Sequence, residues 1–285
     1  MIPPSFDYIR PSTVDDAVGA LVEHGDDAKV LAGGQSLLPL LRLRLAFPEV
    51  LVDVGRVEEL RGVRDDGDAI VIGAMTTHHD VMSDPLVREH AAVLAQATST
   101  VADPAVRHRG TFGGALSHAD PAGDLPAVAL ALDATFEIAG AGGRRSVPAA
   151  EFFLDYLQTA VQTGELLASV RVPKLGAGWG SHYEKFHRVA QAWAIVGVAA
   201  IVRRDGDSIA EARIGLTNMG STPRRAAATE RALAGAAVGN GGVDAASESA
   251  DEGTEPPSDL SGAADYRRHL SHVLTARAVR HAAGV

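Results

Sequence analysis

Two glycine-rich loops about eighty residues apart constrain this chain more than any other feature. They are Leu31-Ala32-Gly33-Gly34-Gln35-Ser36 and Gly110-Thr111-Phe112-Gly113-Gly114-Ala115. The second runs on into Ser117-His118-Ala119-Asp120-Pro121-Ala122-Gly123-Asp124. Paired glycines lack Cβ atoms and admit φ > 0, so the backbone can press its N–H groups against a ligand. Successive inward-turned amides form an anion-binding concavity, and Gln35, Ser36 and Thr111 add side-chain hydrogen bonds beside them. Two such turns facing each other would grip both halves of a pyrophosphate, which predicts a dinucleotide site. Neither loop is a G-x-G-x-x-G opening a helix or a G-x-x-x-x-G-K-[ST], so the Rossmann and P-loop fingerprints are absent.

At 285 residues the chain exceeds the usual single-domain size, and two domains are the default expectation. It carries 26 basic and 36 acidic residues, a formal charge of −10. That balance argues against nucleic acid or an anionic membrane as the main partner. With no cysteine, the chain cannot itself build a disulfide, a thiolate nucleophile, a Cys-ligated zinc or an iron–sulfur cluster. No stretch approaches about 18 uninterrupted apolar residues, so no integral membrane segment is expected. Met1-Ile2-Pro3-Pro4-Ser5-Phe6-Asp7 lacks a basic region followed by an apolar core, and a cytoplasmic location is the expectation.

Ser12 or Thr13 is positioned to cap a helix with an apolar face of Ala17, Leu21 and Val22, ended by Gly25 and Asp26. Short apolar runs at Lys29 to Ala32, Leu51 to Val54, Ala69 to Gly73, Thr135 to Ile138 and Ser169 to Pro173 read as strands. Thr77 to Ala95 reads as helical, interrupted at Asp84-Pro85. The flexible Gly176-Ala177-Gly178-Trp179-Gly180-Ser181 marks the expected boundary between a domain over 1–176 and another over 181–285. In the second, strands at Ser181 to Arg188, Ala194 to Arg203 and Ala210 to Thr217 precede helices at Arg224 to Ala234 and Tyr266 to His281. The order predicts an antiparallel sheet with helices on one face. Residues 240–262 hold six acids and no base among Gly, Ser and Pro, and are expected to form a solvated, mobile loop.

Both loops, with His118-Ala119-Asp120-Pro121-Ala122-Gly123-Asp124-Leu125-Pro126, resemble the FAD-binding medium subunits of molybdenum hydroxylases, carbon monoxide dehydrogenase medium chains above all. The resemblance extends over essentially the whole chain, through Ile72-Gly73-Ala74-Met75-Thr76-Thr77-His78, Gly164-Glu165-Leu166-Leu167 and Gly215-Leu216-Thr217-Asn218. It implies an α+β fold: a vanillyl-alcohol-oxidase (PCMH-type) FAD-binding domain followed by a smaller C-terminal domain of antiparallel sheet and helices. It implies FAD as cofactor. The implied partners are a molybdenum-cofactor large subunit and a small subunit with [2Fe–2S] clusters, in a dimer of heterotrimers. Electrons would pass from those clusters through the flavin to an external acceptor.

Carried over residue by residue, the resemblance implies that Lys29, Val30, Leu31, Ala32, Gly33, Gly34, Gln35 and Ser36 cradle the pyrophosphate. Thr111, Gly113 and Gly114 do so from the other side, and Val101 and Ala115 join the cofactor-binding set. Asp124 matches an aspartate that accepts from FAD hydroxyls, and His118 donates to a phosphate oxygen. Leu166 or Leu167 would flank the adenine. Lys185 would reach the cofactor from the second domain, and Trp193 stands where relatives often place a tyrosine against the isoalloxazine. Ala115 and Phe112 depart from the commoner residues at their positions, as does the Val189-Ala190-Gln191-Ala192 approach to Trp193.

His78 and His79 are adjacent and point in different directions, which favours polar loop groups over a metal pair. His118 and Asp120 lack a third ligand or a nucleophile. Arg107, His108 and Arg109 read as a solvated basic turn. The competing functions are a self-sufficient FAD oxidoreductase of the same fold, for which no substrate base stands out, and a regulatory subunit that has lost FAD.

Overall fold

The computed structural model describes residues 2–239 and 241–285. The chain opens with β1 (Asp7–Ile9), α1 (Val14–His24), β2 (Ala28–Leu31), α2 (Leu37–Leu43) and β3 (Val50–Asp53). These strands form a small parallel sheet in the order β1-β3-β2. Thr13 caps α1, its Oγ1 accepting from Asp16 N at 3.1 Å. Val14, Ala17, Val18, Ala20 and Leu21 are buried, whereas Val22, expected on the apolar face, is exposed.

A second sheet follows from β4 (Val63–Asp66) and β5 (Ala69–Gly73). The helices α3 (His78–Ser83), α4 (Pro85–His90), α5 (Ala92–Ser99), α6 (Pro104–Arg107), α7 (Phe112–His118) and α8 (Asp124–Ala131) come next. Then come β6 (Thr135–Gly140), β7 (Gly143–Pro148), α9 (Ala149–Phe152), the small pair β8 (Phe153–Asp155) and β9 (Gln158–Thr159), and β10 (Leu166–Pro173). The sheet is antiparallel in the order β4-β5-β10-β6-β7. Pro85 sits at the start of α4, with Asp84 as its cap, which explains the break in the helical stretch. The apolar segment after Asp124 is helix, and α8 is buried along its whole length.

After Pro173 the chain leaves this sheet and begins another at Trp179. The elements are β11 (Trp179–Phe186), β12 (Val196–Asp205), β13 (Ser208–Thr217), β14 (Arg224–Arg225), α10 (Ala227–Leu233), α11 (Gly242–Ser247) and α12 (Ala264–Ala283). The sheet is antiparallel in the order β11-β12-β13-β14. Val196 to Val202 are all buried because both faces of the sheet are covered. Val198, Ala200 and Val202 pack with Leu270, Leu274 and Val279 of α12. Tyr183, Ala199 and Ile201 belong to the core of the first sheet and its helices. The helices that follow this sheet pack on one of its faces, as expected, and its other face is closed by α5 and α8 of the preceding unit.

The stretch expected as a mobile loop at 240–262 also differs. Asn240 lies outside the described residues, but α11 follows it, and Val243, Ala246 and Ala250 are buried. The acids find bases on α12. Asp251 Oδ1 lies 2.7 Å from His272 Nε2, Asp259 holds Arg267 at 2.7 and 2.8 Å, and Asp244 pairs with Arg280. Its own composition concealed partners that come from a helix later in the chain.

Candidate functional site

The second glycine loop is stitched to the residues after β5. His78 N donates to Gly110 O, Phe112 N to Thr76 O and Gly113 N to Ala74 O, each at 2.9 Å. A Cβ on Gly113 would lie 2.7 Å from Ala74 Cα, so glycine is needed for this approach. Thr111 caps α7, its Oγ1 accepting from Gly114 N at 3.1 Å, and Ala115 N donates to Thr111 O. The amides of Phe112, Gly113, Gly114 and Ala115 are therefore engaged within the protein. The expectation that Gly113 and Gly114 offer their N–H groups to a ligand is not what this loop presents; what it turns to the cleft is the flank of α7 at Gly114, Ala115 and His118.

The first loop is the reverse case. β2 ends at Leu31 and α2 begins at Leu37, leaving Gly33, Gly34, Gln35 and Ser36 in a turn whose backbone amides donate to no acceptor among the described residues. Gly34 has φ +75°, a conformation that glycine adopts at little cost. Gln35 Nε2 turns back onto Gly33 O at 3.3 Å. A Cβ on Gly33 would collide with the Arg109 carbonyl and lie 2.8 Å from Gly110 Cα. The two loops thus touch through bare backbone.

They form one wall of a cleft of about 770 Å³, a size in the upper part of the range for small-molecule sites. Lys29, Val30, Ala32 and Gly33 to Ser36 line it from the first loop, and Thr111, Gly113, Gly114, Ala115 and His118 from the second. Val101, Asp124 and Leu167 complete the near side, with Lys185 and Trp193 from the far sheet. Leu31 alone of the expected residues is not on the wall; it packs beneath the loop, its Cδ1 3.4 Å from where a Gly34 Cβ would be. Trp193 sits on the β11–β12 connection with 57% of its surface exposed.

The deepest polar feature is a buried ion pair. Asp124 is the first residue of α8, placed by the Asp120–Gly123 turn, in which Ala122 N donates to Asp120 Oδ1 at 2.9 Å. Lys185 crosses from β11, its Nζ 2.9 Å from Asp124 Oδ2, with the two side chains 3% and 4% exposed. Lys185 also donates to Thr100 O at 3.1 Å, and the Tyr183 hydroxyl donates to Asp124 Oδ1 at 2.7 Å. Burial raises the Asp124 pKa, with Lys185 and Tyr183 opposing the rise. Burial, reinforced by the Asp124 charge, holds the Tyr183 hydroxyl well above its ordinary value, so it remains a donor.

Two contributors escape sequence reasoning. His78 is buried, lines the cleft, and has no partner for Nδ1. Burial, aided by the Arg107 charge, lowers its pKa to about 4 and keeps it neutral. His79 points away and stacks on His108 at 3.9 Å, so the two neighbours do diverge. Asn218, at φ +62°, donates its N–H to Pro121 O and its Nδ2 to Ala194 O, both at 2.8 Å. It ties the Trp193 connection to the turn that carries Asp124. Arg107, read as solvated, instead holds Val101 O at 2.8 Å and Ala102 O at 3.2 Å.

A run of amides without acceptors among the described residues, a touching glycine loop and a buried carboxylate–ammonium pair at one cleft fit a dinucleotide. Comparison with known proteins decides which kind. Residues 4–175 match the FAD binding domain in molybdopterin dehydrogenase, and residues 181–282 match the CO dehydrogenase flavoprotein C-terminal domain. The chain belongs to this family of FAD-binding medium subunits. It is 43% identical over 282 residues to the carbon monoxide dehydrogenase medium chain of Hydrogenophaga pseudoflava, covering 99% of this chain and 98% of that one. It is 36% identical to the glyceraldehyde dehydrogenase medium chain of Sulfolobus acidocaldarius, with 99% and 100% covered. Among solved structures, quinoline 2-oxidoreductase from Pseudomonas putida 86 superposes with a TM-score of 0.94 at 35% identity, covering 100% of this chain and 99% of that one. No helix among the described residues is long and apolar enough to cross a membrane.

Proposed function

We propose that this subunit holds FAD along the cleft and relays electrons within a heteromeric molybdenum hydroxylase. They arrive from [2Fe–2S] clusters on a small partner subunit, reduced by a molybdenum-cofactor large subunit, and leave to an external acceptor. The observation that carries the reading is the turn at 33–36, whose four amides have no acceptor among the described residues and line the same cleft as Asp124 and Lys185. A diphosphate is the ligand chemistry that answers such a turn.

When bound, the flavin supplies a redox centre that accepts and releases electrons singly or in pairs, chemistry no side chain here provides. The protein groups bind and orient. The amides of Gly33 to Ser36 take the diphosphate, with Thr111 and Lys29 alongside. Asp124 accepts from sugar or ribityl hydroxyls, held in place by Tyr183 and Lys185. Val101 and Leu167 give apolar contact to the flat rings. Trp193, exposed at the cleft, would offer its aromatic face to the flavin ring system.

Relatives' names run from carbon monoxide and glyceraldehyde to nicotine and caffeine on the same type of chain. Substrate choice accordingly belongs to the molybdenum subunit. The assembly is a cytoplasmic dimer of heterotrimers in this reading. Titrating the cofactor-free chain with FAD tests it: a perturbed visible spectrum saturating at one FAD per chain is expected. No saturable binding, or prompt bleaching by a reducing substrate with no partner subunits present, would count against it.

A further inference from the structure

Away from the cleft, β11 and the last turn of α12 assemble three metal-ligating side chains. His182 and Glu184 are two apart on the strand, so both project from the face opposite Tyr183 and Lys185. His281 comes from the C-terminal end of α12. His182 Nε2 is 3.2 Å from Glu184 Oε2, and His281 Nδ1 is 3.9 Å from the same oxygen. One ligand atom from each of the three lies within 4.8 Å of the other two. The imidazole centroids are 4.5 Å apart with planes tilted by 58°, so the rings converge without stacking.

The frame beneath them is set by backbone contact. A Cβ on Gly180 would collide with the Ala282 carbonyl, and Arg204 Nη1 donates to Ala283 O at 2.8 Å. Strand and helix end are thus held together whatever occupies the gap between the side chains. Tetrahedral zinc, with bonds of about 2.0–2.2 Å to nitrogen and oxygen, separates its ligand atoms by about 3.4 Å. Two of the three pairs already bracket that value. The third closes by rotation of His281, which at 57% exposure is the freest of the three. Arg277, on the same helix, is the cation that opposes binding.

We propose that His182, Glu184 and His281 bind a divalent first-row transition-metal ion of the zinc class, pinning the end of α12 to the strand that carries Lys185. Two imidazoles and a carboxylate suit Zn²⁺, Cu²⁺ or Ni²⁺ and leave a fourth position for water. The site is structural: it clamps the chain's last helical turn.

The test uses the full chain without an affinity tag, stripped of metal by a chelator. Calorimetry with Zn²⁺ should show one ion per chain, and Co²⁺ should give the visible bands of a tetrahedral nitrogen–oxygen site. Zinc at about a hundredfold excess over Kd should raise Tm by roughly 5–10 °C. His182→Ala and His281→Ala should each weaken binding at least about tenfold, while His24→Ala, on the other unit, should not. Glu184→Gln, which keeps the side-chain size, gives the same readout should an alanine variant fail to fold. No saturable binding up to about 1 mM Zn²⁺, or a loss smaller than about tenfold in the ligand variants, overturns the assignment.

Discussion

Lys185→Met is the most discriminating substitution in the cleft, because it removes a counter-ion without removing length. Asp124 and Lys185 are 4% and 3% exposed at 2.9 Å, so solvent screens the pair little. Deleting one member of such a pair leaves a carboxylate that must either stay charged in an apolar setting or take up a proton, at a cost of about 3–5 kcal/mol. For a chain in this size range that is roughly 6–20 °C in Tm. Tyr183 still donates to Asp124 Oδ1, which places the expectation toward the lower end. The double variant Asp124→Asn/Lys185→Met removes both charges and keeps an acceptor for Tyr183, so it should recover most of the loss. Thermal unfolding of the FAD-free chain at pH 7, followed by circular dichroism, measures all members of the cycle. A Lys185→Met loss below about 1 kcal/mol, or a double variant as unstable as the two single losses added, would refute the buried-pair reading.

Two further perturbations probe how far the loops and the buried histidine hold the scaffold itself. Gly33→Val places a branch against the Arg109 carbonyl, and a Cβ on Gly114 would lie 2.6 Å from Thr111 Oγ1, so each variant should lose stability as well as FAD. For Gly114→Val the disrupted cap alone amounts to about 1–2 kcal/mol; stoichiometric FAD with wild-type Tm in either variant would contradict this. His78, with its folded pKa near 4 against an ordinary 6.5, takes up its proton earlier in the unfolded chain. Its contribution is thus complete above about pH 6.5 and is lost as pH falls toward 4, a change of about 3 kcal/mol. Between pH 7 and 4 the stability of wild type relative to His78→Gln should fall by about that amount, and parallel profiles would show that His78 does not titrate as its burial requires.

How far the sequence could be read depends on the range over which each signal acts. Strands and helices with local periodicity, such as Ala69–Gly73 and the Pro85 break, emerge at nearly their observed bounds. The two loops and Asp124 were legible because their residue types are unusual at short spacing. What escaped depended on partners distant in the chain. Residues 241–262 look like solvated acid until α12 brings Arg267, His272 and Arg280 to them. The amides of Gly113 and Gly114 look free until Ala74 and the cap of α7 claim them. His78 carries no local sign of burial, since its environment is made by the Gly110 turn over thirty residues later.

The same distant partners explain why the cleft and the docking of the two sheets are one problem. Lys185 reaches its site on β11, Asp124 on α8, and the two meet only when β12 and β13 pack on that helix. Asn218 repeats the pattern, since one residue of the second unit holds both the Pro121 carbonyl of the first and the Ala194 carbonyl beside Trp193. A ligand that contacts both walls binds only the docked arrangement, and by linkage it stabilises that arrangement by the same free energy. Substitutions at Asn218, which does not line the cleft, should therefore weaken cofactor retention through the packing of the units. Their effect on FAD affinity and on thermal stability should scale together, whereas removing Trp193, exposed and free of such ties, should leave stability untouched.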